Sequence, residues 1–173
     1  MTLSTIKALV AVSSADLLAE ATSVLAQGGI EHIRTARTMY DAVDLMHACV
    51  FSLFVIDGQL LVSTNPNKVR LAGVDFVRFI RMCEGSVSEA VVVFLRSSGR
   101  VQNLFEARVE ITEARDAGAS CIIAQPFVAE NFHNFVRPAI DSPAPFIRTS
   151  AYTGPCRRVA DIPVLHDRRK GKS

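Results

Sequence analysis

Between residues 7 and 137, short runs rich in apolar and β-branched residues alternate with stretches in which apolar positions recur at helical spacing. Five runs, Lys7–Val12, His32–Ala36, Phe51–Asp57, Ala90–Arg96 and Ser120–Ala124, read as strands. All but the second are almost continuously apolar, the pattern of strands covered on both faces. After each run comes a helical stretch: Ala15–Gln27, Thr38–Ala48, Val74–Cys83, Arg100–Ala117 and Val128–Val136. In the first of these, Leu17, Leu18, Ala21, Val24 and Leu25 form one stripe, with Ser14 placed to cap the N-terminus. Phe132, Phe135 and Val136 mark the expected buried face of the last. Gly28-Gly29 and Gly118 stand where helix ends call for a left-handed residue. Alternation of this kind predicts an α/β domain with helices on both faces of a mostly parallel sheet.

Two segments depart from the pattern. Gly58–Gly73 is a long connection whose centre, Ser63-Thr64-Asn65-Pro66-Asn67, is polar and rich in turn formers. Beyond Arg137 no period persists, and prolines (Pro138, Pro143, Pro145, Pro155, Pro163) recur with arginine pairs. The chain is therefore divided into a domain over residues 1–140 and a basic tail over 141–173, expected to be extended or disordered. Charge divides the same way: residues 1–140 hold 12 Lys/Arg against 14 Asp/Glu, and residues 141–173 hold 7 against 3.

At 49% hydrophobic and 21% charged residues the chain can build a real core. No apolar stretch approaches the roughly 20 residues of a membrane-spanning helix, and no secretory leader is visible, so a cytoplasmic location and no membrane insertion are expected. Cys49, Cys83, Cys121 and Cys156 are widely spaced, without C-x-x-C or nearby histidines at metal spacing, so reduced thiols and no metal site are expected, with Cys49 and Cys121 in the core. His32, His47, His133 and His166 have no partner at suggestive spacing. There is no Gly-rich phosphate loop, H-E-x-x-H or nucleophile elbow, so the chain is not expected to be an enzyme.

In an open parallel sheet, chemistry gathers at the carboxyl ends of the strands. Those positions are Val12-Ser13, Asp57, Leu95-Arg96 and Gln125-Pro126. The apolar strand ending in Asp57, the Gly73-x-x-Phe76-x-x-x-Ile80-Arg81 segment, Ala117-Gly118-Ala119 and Gln125-Pro126-Phe127, in that order, resemble the CheY-like receiver domain of bacterial response regulators over about residues 6–138. The resemblance implies a flavodoxin-like (βα)5 fold with strand order 2-1-3-4-5 and an aspartyl-phosphate switch at Asp57. In such a switch a Mg²⁺ ion neutralises the phosphoryl charge and takes oxygen ligands from further carboxylates. The family carries acids after the first strand, where this chain has Val12 and Ser13. A lysine of the family ends the fifth strand, where this chain has Gln125. The family's switch hydroxyl falls on Leu95 or Arg96, with Ser97 and Ser98 next in line. Only Asp57 matches. It reads either as a phosphoacceptor, with Arg96 supplying positive charge, or as a vestigial carboxylate bonded to nearby backbone amides. The expectation is a degenerate receiver, or pseudoreceiver, whose Mg²⁺ site is lost and which needs no cofactor.

The function expected from this is signalling of the two-component or phosphorelay type by protein–protein contact. A histidine kinase, a motor or another regulator is the expected partner, and homodimerisation through the face of the fourth helix is possible on the family pattern. The fourth helix also carries Arg108, Glu110, Glu113 and Arg115, which read as a solvated face. In the tail, Tyr152-Thr153-Gly154-Pro155-Cys156-Arg157-Arg158 resembles arginine-rich extensions of some single-domain regulators, a subset of which bind cyclic di-GMP. Guanidinium groups pair with guanine edges and phosphates and stack on bases, so Arg148, Tyr152, Arg157 and Arg158 are candidate nucleotide-binding residues. The tail is too dilute in charge to predict specific DNA binding. Simple solvation of a basic tail is the competing reading.

Overall fold

The computed structural model describes residues 3–65, 71–96 and 104–157, with only the backbone of Leu104, Phe105 and Ala107. A short 3-10 turn at Leu3–Thr5 leads into β1 (Lys7–Ala11), followed by α1 (Ala15–Gln27), β2 (His32–Ala36), α2 (Met39–Ala48) and β3 (Leu53–Asp57). Then come α3 (Gly73–Met82), a 3-10 turn at Gly85–Glu89, β4 (Val91–Arg96), α4 (Leu104–Ala117) and β5 (Cys121–Ala124). The last helical rod runs through α5 (Ala129–Asn131), a π turn at Phe132–Val136 and α6 (Arg137–Asp141). Past it lie two further strands, β6 (Phe146–Arg148) and β7 (Thr153–Pro155).

The main sheet is parallel with order β2-β1-β3-β4-β5, the flavodoxin-like order expected. Alternation along the strands sends side chains to two cores. Val10, Val55, Val93 and Ile123 pack with Leu25 of α1 and Val136 of the last rod. On the other face, Leu9, Phe54, Ile56 and Phe94 pack with Phe76 and Ile80 of α3. Helix starts follow local chemistry: the Ser14 hydroxyl accepts the Leu17 N–H at 3.4 Å and the Thr38 hydroxyl accepts the Asp41 N–H at 3.1 Å. β3 starts two positions later than the pattern assigned, at Leu53, because Phe51 and Ser52 lie before the parallel ladder with β1 begins. Residues 100–103 of the expected fourth helix lie outside the described residues, as does the centre of the long connection at Pro66-Asn67.

The larger difference is the tail. Residues up to 157 are neither extended in solvent nor structureless. β6 and β7 form an antiparallel hairpin, with Ile147 opposite Gly154. The hairpin docks on the amino-terminal end of the sheet, against the Gly85–Glu89 turn, α3 and the turn after α4. Proline-rich composition hides this because prolines remove period and donors, whereas the contacts are tertiary. The Phe146 ring packs near Arg81, with the guanidinium carbon 5.7 Å from the ring centre, and Tyr152 donates its hydroxyl to the Pro155 carbonyl at 2.8 Å. Gly118 has φ +101°, and a side chain there would come within 2.7 Å of the Thr153 carbonyl, so only glycine lets β7 approach this turn.

Candidate functional site

Four adjacent strands deliver the expected pocket positions to one end of the sheet. Val12 follows β1, Asp57 closes β3 opposite Leu95, Arg96 closes β4 opposite Ala124, and the Gln125 N–H bonds the Arg96 carbonyl at 3.0 Å. The strand pleat places Val12, Asp57 and Leu95 on the same face. Val12 and Leu95 are fully buried, and Asp57 itself is only 3% exposed. Its Oδ1 accepts the Gln59 N–H at 3.0 Å. Burial pushes the Asp57 carboxyl above its ordinary range, and the Gln59 N–H offsets this only in part. With Leu95 directly opposite Asp57, Arg96 points to the other face, towards α4. Ser97 and Ser98 lie outside the described residues.

Ser13, which stands where the family carries an acid, is engaged in holding loops. Its hydroxyl donates to the Arg37 carbonyl at 3.0 Å and accepts the Leu61 N–H at 2.9 Å. Its carbonyl in turn accepts the Arg37 guanidinium at 2.7 Å. One residue thus ties the loops after β2 and β3 across the head of β1. Leu61 also bridges Thr38 and Leu71, which draws both ends of the long connection to the same place. At the end of β5, Gln125 precedes a cis bond to Pro126, and the Phe127 N–H is taken by the carboxylate of Glu20 from α1.

Two residues lie where the sequence reading did not put them: Phe135, expected on the buried face of the last helix, is 51% exposed, and Glu110 is drawn in. Glu110 is partly buried and does not belong to a solvated face. A side chain on Gly58 would come within 2.6 Å of the Glu110 carboxylate, so that group lies over the turn after Asp57. Its carboxyl is pushed up, first by burial and then by the negative fields of Asp57 and Glu113, against the attraction of Arg96. A signal for this was available: Glu110 shares a helical stripe with Ala114 and Ala117, both buried. Beside it, a groove of about 400 Å³ runs between α3 and α4, walled by Gly58, Asp75, Arg78, Glu106, Glu110 and Glu113 among others.

The tail candidates lie at the other pole, at the amino-terminal ends of β4 and β5. Arg148 donates to the Ser88 hydroxyl at 2.6 Å and lies 3.9 Å from the Glu89 carboxylate. The Arg157 guanidinium carbon sits 3.9 Å from the centre of the Tyr152 ring, and its nitrogens bind the Asp116 carboxylate at 2.8 Å and the Arg115 carbonyl at 3.2 Å. Arg158 and His166 lie outside the described residues. The pole is organised around Arg81, in the last turn of α3, whose role the sequence did not reveal. Arg81 is 2% exposed and bonds the carbonyls of Gly118, Ser88 and Ala90 and the Ser120 hydroxyl. Desolvation pulls its pKa down to about 10, which still leaves it charged at neutral pH.

No protein-family model and no curated protein matches the chain. Solved structures do. NtrX of Brucella abortus is 20% identical with a TM-score of 0.62, over 78% of this chain and 26% of its own, so the chain spans about a quarter of that protein. The chemotaxis response regulator CheY4 of Vibrio cholerae is 18% identical with a TM-score of 0.59, over 76% of this chain and 96% of its own. A response regulator from Thermotoga maritima is 18% identical with a TM-score of 0.60, over 80% of this chain and 99% of its own. The likeness is one of fold, and the fold is that of a receiver domain. Among the described residues no helix is long and apolar enough to cross a membrane.

Proposed function

We propose that the chain is a receiver-like signalling protein of a two-component or phosphorelay system that acts by contact with a protein partner, largely without phosphorylation of Asp57. The observation that carries this reading is the surroundings of Asp57: two buried apolar side chains, Val12 and Leu95, occupy its face of the sheet, and the nearby Ser13 hydroxyl is already bonded on both sides. Mg²⁺ demands near-octahedral oxygen coordination, and this donor set does not fit it. Neutral Gln125 does not supply the cation that would meet a phosphoryl oxygen. Glu110 adds a like charge where a phosphoryl group would bring two more. A histidine kinase, a motor or another regulator remains the partner class, and a second copy of the chain is the alternative partner on the same fold. Titrating the full chain with Mg²⁺ and beryllofluoride, an aspartyl-phosphate mimic, is expected to leave the amide resonances of Asp57, β4 and β5 in place. Saturable shifts there at sub-millimolar mimic would restore the phosphoswitch and sink the proposal.

A second reading, binding of cyclic di-GMP by the basic hairpin, draws on one observation. The Arg157 guanidinium packs close on the Tyr152 ring, the type of stacking surface a purine uses. Against it, Arg148 and Arg157 already hold Ser88, Glu89 and Asp116. Calorimetry with the full chain and with Arg157→Ala separates the readings: heat with the first that vanishes in the second favours the nucleotide.

A further inference from the structure

The docked hairpin closes a pocket of about 530 Å³ that neither reading above uses. This is within the size range of small-molecule sites. Its apolar wall comes from Val91, Pro138, Pro143, Pro145, Phe146 and Pro155, and its polar floor from Arg81 and Ser120. A guanidinium has five N–H groups. In Arg81 Nε bonds Gly118, Nη1 bonds Ser88 and Ala90, and Nη2 makes a single bond to Ser120, so one Nη2 hydrogen has no acceptor among the described residues. The Ser120 hydroxyl is in the same position. It accepts from Arg81 at 3.2 Å and from the Val92 N–H at 3.0 Å, and its own hydrogen has no acceptor among the described residues.

Every hydrogen-bond partner of Arg81 among the described residues is neutral. No carboxylate lies within ion-pair distance of it among the described residues, and Glu89, the acid on the pocket wall, is drawn to Arg148. A buried cation held only by carbonyls and a hydroxyl, beside two adjacent unused donors, is the chemistry of an anion receptor. We infer that this pocket binds a small molecule carrying one oxyanion, carboxylate or phosphate, on an apolar body. The oxyanion takes the free hydrogens of Arg81 and Ser120, and the body lies against Phe146 and the prolines. The site exists only in the chain with its hairpin docked, and it stands or falls independently of Asp57.

The test uses the ¹⁵N-labelled full chain, titrated separately with benzoate, phenyl phosphate and, as the uncharged control, benzamide. Saturable shifts at the amides of Ser120, Cys121 and Phe146 are expected with at least one anion and not with benzamide. Which anion binds tells a carboxylate site from a phosphate site. Ser120→Ala, which removes one bond to a charged group, weakens binding about tenfold. Ala144→Trp, which fills the pocket from its lining, abolishes binding while the thermal midpoint is kept. Equal shifts with benzamide, or no saturable shift with either anion, overturns the inference. So does wild-type affinity in Ser120→Ala, which decides the matter alone if Ala144→Trp does not fold.

Discussion

Among the described residues each pole of the sheet buries one charged side chain, and the two are treated in opposite ways. At the carboxyl ends, Asp57 has one backbone amide for company, two apolar neighbours on its face and a second acid, Glu110, overhead. At the amino ends, Arg81 is wrapped by four bonds to neutral oxygens and roofed by Phe146. An ion leaves water at low cost only when the protein returns its hydrogen bonds. By that measure Arg81 is a structural centre, whereas Asp57 is a buried acid with little return for its lost water, so removal of Arg81 is expected to weaken the fold and removal of the Asp57 charge to relieve it.

The strongest way to break the comparison is Arg81→Ala. It leaves three buried carbonyls without their donor, and a loss of about 3 kcal/mol is expected in urea unfolding. Arg81→Lys recovers part of this, because an ammonium cannot reach acceptors spread around a planar fork. Next comes removal of residues 143–173, which uncovers Arg81 and the apolar contacts of Phe146. A loss of about 2 kcal/mol by the same measurement is expected, whereas a merely appended tail predicts no change.

At the opposite pole the sign reverses. Asp57→Asn is expected to raise the thermal midpoint at neutral pH. Because the Asp57 carboxyl is raised in the fold, the native chain binds its proton more tightly than the unfolded chain does. That contribution to stability is fully present below the unfolded pKa and is lost as pH rises through the higher folded one. The advantage of Asp57→Asn therefore shrinks as the pH is lowered towards the ordinary carboxylate range, which thermal melts across pH will follow. Glu110→Gln moves stability in the same direction by less, since Arg96 partly offsets the cost of its charge. The smallest effect is expected for Arg157→Ala. Its ion pair with Asp116 is exposed on both sides, and such pairs are worth at most about 1 kcal/mol.

Much of this was legible in the order of residues. The five strands and their helices followed from period alone, because the contrast between a run buried on both faces and a stripe at 3.6 spacing is a local property. The cap at Ser14 and the position of Asp57 at a strand end were readable for the same reason. The lack of acids after β1 and of a lysine after β5 was also plain, since residue types need no coordinates. What Ser13 does was not readable, because its partners, the Arg37 carbonyl and the Leu61 N–H, arrive from loops 24 and 48 residues away. Glu110 was misread as solvated although its stripe held a clue, because charge outweighs stripe position in any reading by composition.

The hairpin and Arg81 mark where the sequence by itself stops. It determined the layers, the strand order by resemblance and the chemical poverty of the Asp57 pocket. Only the tertiary structure decided that the proline-rich segment folds back, that Gly118 leaves room for Thr153, and that an arginine on a helix meets carbonyls from 7, 9 and 37 residues away. Burial and hydrogen bonding of that kind belong to pairs of distant segments, and a residue's identity states what it can bond without stating what the fold will bring to it.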